Sequence, residues 1–148
     1  MLRYDLPDLA ATADLARKLA PLLKAGDVIA LHGGLGAGKT TFSRALISAL
    51  LGQDTEVPSP TYTLVQAYEG PTFPILHFDL YRLEDTSEVL ELGWDETQDG
   101  LALIEWPDRA GPHLPAWRLD LHIDLVGDNR TARLEPQGED WQTRVHEF

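Results

Sequence analysis

Residues 33–40 read Gly-Gly-Leu-Gly-Ala-Gly-Lys-Thr and fill every fixed position of the pattern G-x-x-x-x-G-K-[ST]. Gly33, Gly34, Gly36 and Gly38 allow backbone dihedrals that other residues resist, so the chain can wrap closely around an anion. With Leu35 and Ala37 they supply backbone N–H groups that turn inward as an anion nest at a helix N-terminus. Lys39 brings a positive charge to the β- and γ-phosphates of a nucleotide, and the Thr40 hydroxyl is a ligand for Mg²⁺. Thr41 falls one residue into the helix, near the α-phosphate. The chemistry expected is binding of a nucleoside triphosphate with Mg²⁺.

Such a loop needs an acid at the end of a neighbouring strand to hold the cation, directly or through water. Asp79 closes "ILHFD" and Glu105 closes "LALIE". Both follow apolar runs that aim a carboxylate out of the C-terminal edge of a sheet, where ligands of open α/β sheets sit. His32, just before the loop, reads as a packed strand residue. His77 alternates in phase with Asp79 and could orient that acid, or be an ordinary core or surface histidine.

These side chains need a scaffold. "VIALH" (28–32) has the length and continuous apolar character of a buried central strand, and "TTFSRALISALLG" (40–52) reads as a helix stopped by Gly52. Residues 9–24 carry leucines at helical spacing, with Thr12 as the expected N-cap. In 57–70, Pro58 and Pro60 stiffen a loop, and "YTLVQAY" follows as a strand. "FPILHFDLYRL" (73–83) is expected to pair with it across a turn at "EGPT". Residues 85–96 predict a short helix, with Asp85 and Glu88 at capping-box spacing. "LALIEW" (101–106) is a further buried strand, and "WRLDLHIDLV" and "RTARLEP" around "GDN" predict a late hairpin. The expected fold is α/β: a P-loop NTPase-like domain over 1–148, with a mixed sheet of central parallel strands flanked by helices.

A chain of 148 residues, 43% hydrophobic and 24% charged, suits one globular domain with a real core. No apolar run is long enough to span a bilayer, and the start lacks the pattern of a signal peptide. The net charge of −12 repels phosphate backbones, which argues against tight direct binding of nucleic acid as the main activity. There is no cysteine, which excludes disulfides and thiol catalysis and is compatible with a reducing, cytoplasmic setting.

The use of the nucleotide is narrowed by what is missing. The only asparagine, Asn129, lies in "DNRT", so there is no N-K-x-D segment to read guanine. The S-G-G-Q signature of transporter ATPases is absent, and the chain is too short for a ring ATPase. Three readings stand: a partner-dependent ATPase, a small-molecule kinase, and a nucleotide-gated binding module. The kinase lacks an obvious arginine-bearing lid.

Five segments, "GLGAGKTTF" (34–42), "VPSPTYTLVQAY" (57–68), "HFDLYRLED" (77–85), "ELGWDE" (91–96) and "LIEWPDR" (103–109), resemble the successive motifs of the bacterial TsaE family, also called YjeE, in order and spacing. The resemblance spans residues from about 8 to 135. It implies an ATPase that uses ATP and Mg²⁺ in the threonylcarbamoyl modification of the adenosine beside the anticodon of tRNA. It implies TsaB and TsaD as partners, with tRNA met through them. Carried over by position, Lys39 would hold phosphate, and Thr40 and Glu105 would be the Mg²⁺ ligands with Asp79 nearby. Ser59 and Thr61 of "SPTYT" would act as a switch close to the γ-phosphate. Trp106 would couple the metal acid to a partner surface, and Thr12 and Arg130 would flank the adenine. Gly34 departs from the family pattern, since it offers no side chain.

Overall fold

A computed structural model describes residues 2–34, 36–52 and 64–147, with Glu96 described by its backbone alone. Its strands are β1 (Leu2–Leu6), β2 (Val28–His32), β3 (Val65–Glu69), β4 (Pro74–Asp79), β5 (Leu101–Glu105), β6 (Arg118–Val126) and β7 (Asn129–Gln137). All join one seven-stranded sheet in the order β1-β7-β6-β2-β5-β4-β3. The four central strands β6, β2, β5 and β4 run parallel, while β1 on β7, β7 on β6 and β3 on β4 are antiparallel. This is the mixed sheet expected from the sequence, including the late hairpin and the β3–β4 pair.

The sheet has two cores because the apolar strands bury both faces. Ile29 and Leu31 of β2 face α1 (Leu9–Leu19) and α2 (Lys39–Leu51), packing with Leu15, Leu19, Phe42 and Leu46. Val28 faces the other way, into a cluster with Phe78, Val89, Trp94 and Ile104. That second cluster is covered by 3₁₀ segments rather than by a helix. The short helix expected over 85–96 is two 3₁₀ pieces, Thr86–Leu92 and Trp94–Asp99, divided at Gly93, whose φ of 78° no continuous helix accommodates. The capping box between Asp85 and Glu88 is present as anticipated.

Other expectations move at their edges. The N-cap of α1 is Asp8, which accepts from the Ala11 N–H at 2.9 Å, and Thr12 lies buried inside the first turn. The leucine series starts at Leu9, where the helix starts, so the cap falls one residue before it and not at Thr12. Regular α-helix ends at Leu19, and a 3₁₀ turn containing Pro21 follows. β4 stops at Asp79, four residues short of the segment read as strand, and β3 begins at Val65.

Two elements were not anticipated. β1 pairs Leu2 with Leu134 and Leu6 with Arg130. α3 (Glu139–Val145) is pinned from a distance: the Arg144 guanidinium donates to both carboxylate oxygens of Asp27, at 2.6 and 2.8 Å, and lies 3.7 Å over the Trp141 ring. The C-terminal stretch is thereby tied down through Trp141 and Val145, both buried.

Candidate nucleotide-binding site

The site forms where β2, β4 and β5 end on the same sheet edge. β2 delivers the chain to Gly33, and α2 begins at Lys39 after Gly38, whose φ of 110° an L side chain would strain. The loop is closed from the other side of the molecule. Arg130 of β7 donates from Nε to the Ala37 carbonyl at 2.8 Å and from Nη2 to the Gly36 carbonyl at 3.1 Å. These two bonds tie the loop to β7, and within it the Ala37 N–H donates to the Gly34 carbonyl at 3.2 Å.

Lys39 is 5% exposed. Its ammonium donates to the Gly33 carbonyl at 2.6 Å and lies 3.4 Å from the centroid of the Trp106 ring. Burial pushes the ammonium below its ordinary value, and the neighbouring Glu105 and Asp79 carboxylates pull it back up. Trp106 is brought there by a left-handed backbone, φ 58° and ψ 54°, directly after β5. For a bulky residue that conformation is costly, about 1–3 kcal/mol. The ring rests against Tyr81, centroids 4.9 Å apart.

Asp79 and Glu105 are paired in register on adjacent parallel strands. Both are nearly buried, at 4% and 2% exposure. The Thr40 hydroxyl donates to Glu105 Oε1 at 2.9 Å, and Asp79 Oδ1 accepts from the Tyr81 N–H at 3.0 Å. His77, for which the sequence allows either a role in orienting Asp79 or an ordinary buried or surface place, turns to Glu105, with Nε2 at 2.5 Å from Oε2. The sequence placed His77 and Asp79 on one face but could not show that β5 lies beside them.

A hydroxyl and two carboxylates converging beside a lysine are hard oxygen donors of the kind that suits Mg²⁺. Among the described residues no group of three or more His, Cys, Asp or Glu could hold a metal ion by itself. A cation here would draw its remaining ligands from phosphate and water, as Mg²⁺ does at nucleotide sites.

Two hollows meet at the N-terminus of α2. One, about 250 Å³, lies over the loop between Lys39, Thr40, Asp79, Glu105 and Trp106. The other, about 180 Å³, has an apolar floor of Leu6, Leu9 and Ile123, with Asp8 and Thr12 at its side. Both are bordered by Gly38, Thr41 and Arg130, so they adjoin. Thr12 and Arg130 both line the smaller hollow. Leu6, Asp8, Leu9 and Ile123 were not foreseen, since nothing in a single sequence brings β1 and β6 to the loop. Gly34 is exposed in the loop; Leu35, Ser59 and Thr61 lie outside the described residues.

His32 has a partner that was not expected. On the sheet face opposite Leu31, its Nε2 lies 2.8 Å from Asp120 Oδ1, and its ring stacks on His122 at 4.5 Å. Burial raises the Asp120 carboxyl, but bonds from His32 and Arg118 outweigh it and hold the group below its ordinary range. Burial lowers His122 from its ordinary 6.5; His32 and Arg133 add to this, while Glu135 and Asp120 oppose it. The folded protein therefore binds fewer protons at His122 than the unfolded chain does. The resulting stability is present above about pH 6.5 and is lost as pH falls through that value. Thermal melting from pH 7.5 to 5 should show a decline in Tm that is shallower in His122→Gln; equal slopes would mean that the decline has another source.

A buried strand that feeds a glycine loop into a helix, beside parallel strands ending in carboxylates, defines a P-loop NTPase-like fold. The family model described as threonylcarbamoyl adenosine biosynthesis protein TsaE matches residues 6–134. The chain belongs to the TsaE family. It is 40% identical over 120 residues to the tRNA threonylcarbamoyladenosine biosynthesis protein TsaE of Rickettsia felis, covering 80% of this chain and 70% of that one. To the protein of the same name from Bacillus subtilis it is 41% identical over 120 residues, covering 80% and 74%. The crystal structure of Bacillus subtilis YdiB superposes with a TM-score of 0.83 at 31% identity, over 99% of this chain and 92% of that one. Among the described residues no helix is long and apolar enough to cross a membrane.

Proposed function

We propose that this protein binds and hydrolyses ATP with Mg²⁺, and that hydrolysis serves the threonylcarbamoyl modification of adenosine in tRNA. The observation that carries the ATPase reading is the Thr40–Glu105 hydrogen bond at 2.9 Å, which joins the phosphate loop to a strand-end acid beside Lys39. The names of the relatives support the pathway. In this reading Lys39 and the loop N–H groups hold phosphate, and Thr40, Glu105 and Asp79 hold Mg²⁺. The bound cation would neutralise charge on the phosphates. Thr12 and Arg130 flank the adenine, and Ser59 and Thr61 meet the γ-phosphate.

Nucleotide entry requires rearrangement. The Lys39 ammonium must leave the Gly33 carbonyl and the Trp106 ring to reach a phosphate. A chain whose loop is engaged with itself is suited to low turnover alone and to activation by a partner that moves Trp106. We propose TsaB and TsaD as that partner, in the cytoplasm, with tRNA met through them; the net charge of −12 supports indirect contact.

The test is the rate of ATP hydrolysis alone and with TsaB and TsaD. Stimulation by the partners, lost in Glu105→Ala, is expected. Phosphate transferred to a metabolite, or a rate indifferent to the partners, would overturn the reading.

A further inference from the structure

His77 has one ring nitrogen at a short distance from a carboxylate and the other without a hydrogen-bond partner among the described residues. The residue is fully buried in the middle of β4, opposite Leu103 of β5, where an apolar side chain would pack without loss. Nδ1 is buried with no hydrogen-bond partner among the described residues. A buried polar atom left unsatisfied costs free energy. A histidine kept for packing alone would carry that cost for no return, so the residue type is explained by its other nitrogen. Nε2 is 2.5 Å from Glu105 Oε2. Since a carboxylate accepts, the ring hydrogen sits on Nε2.

Asp79 Oδ1 accepts from the Tyr81 N–H at 3.0 Å. Glu105, one methylene longer, is met by side chains on both oxygens: Thr40 at Oε1 and His77 at Oε2. The Thr40 hydroxyl can turn an oxygen lone pair to a cation and still donate its hydrogen to Oε1. The His77 contact lies on the other oxygen, so it leaves Oε1 to Thr40 and the cation.

We infer that His77 is a positioning residue: it anchors Oε2 so that Oε1 stays turned towards Thr40 and the cation site. This rests on the reading of Glu105 as a Mg²⁺ ligand. Residues that orient metal ligands in this way are worth roughly 10- to 100-fold in metal affinity.

The test uses the full-length chain with N-methylanthraniloyl-ADP as the probe, titrated with Mg²⁺ and measured separately in EDTA. His77→Phe should raise the Mg²⁺ concentration for half-maximal binding about 10- to 100-fold and leave binding in EDTA unchanged. His77→Gln places an amide N–H close to the Nε2 position and should restore most of the Mg²⁺ response. His77→Asn places its amide near Nδ1 and should not. If His77→Phe fails to fold, the Gln and Asn variants carry the comparison. An unchanged Mg²⁺ midpoint in His77→Phe, equal behaviour of Gln and Asn, or a parallel loss of binding in EDTA would each overturn the inference while leaving Glu105 as a ligand. No Mg²⁺ dependence in the unsubstituted chain would overturn the Glu105 reading and this inference together.

Discussion

Lys39→Ala is expected to weaken ATP binding by about 30- to 140-fold, because a charge-assisted hydrogen bond to phosphate contributes about 2–3 kcal/mol and each 1.4 kcal/mol is tenfold. Without nucleotide, the same change should have little effect on the melting temperature. The ammonium it removes is buried, lowered by burial, and paired with a carbonyl and an aromatic ring rather than directly with a carboxylate. Relief of that burial offsets the lost contacts. The contrast is the useful observable. In the unsubstituted protein, ATP at a hundred times its Kd should stabilise by about 2.7 kcal/mol. In Lys39→Ala at the same concentration, the 30- to 140-fold higher Kd should leave a gain of only about 0.3–0.9 kcal/mol. Calorimetric titration and melting with and without ATP measure both quantities. Undiminished affinity would remove Lys39 from the site.

The second large effect is expected at Gly33→Ala and should fall on stability. A Cβ at this position would lie 2.7 Å from the backbone carbonyl oxygen of Ile123 and 3.2 Å from the Ala37 Cβ. The first obstacle is main chain of β6, which is held in the sheet on both sides and cannot swing away as a side-chain tip would. Relief would have to come from separating the end of β2 from β6. Overpacking of this kind costs about 1–3 kcal/mol, and at this chain length about 2–4 °C of Tm accompanies each kcal/mol. Gly34→Ala is the control, since a Cβ there meets nothing within 4 Å among the described residues. Equal melting temperatures for the two variants would refute the steric account.

Legibility in the sequence followed how local the cause was. The glycine loop, the apolar β2 and the helix stop at Gly52 are each fixed by neighbouring residues, and they stand where the residues placed them. The same holds for the hairpin around residues 127–129 and for the capping box at Asp85. Non-local causes left no such trace. His77 shares a strand face with Asp79, yet its bond goes to Glu105 because β5 is the next strand in the sheet. β1 is five residues long and gains its place only by pairing with β7. α3 is seven residues, too short for a periodic signal, and is held by Arg144 on Asp27, far upstream. Thr12 is not the cap because the helix starts at Leu9, the first leucine of the series, and Asp8 just before it supplies the bond.

The parallel pairing of β2 has a consequence for the chain as the ribosome makes it. β2, which leads into the phosphate loop, is an early strand, yet its sheet neighbours are β5 and β6, with Ile29 opposite Leu103 and Leu119. At about 5–20 residues per second, roughly 5–20 s separate the emergence of β2 from that of β6. Until β5 emerges, this nearly continuous apolar segment has neither of its sheet neighbours, and β1 waits for β7, beside which it lies in the sheet. The nascent chain cannot complete the sheet around its phosphate-binding loop progressively; β2 gains its second neighbour only once Val126, the end of β6, has left the exit tunnel.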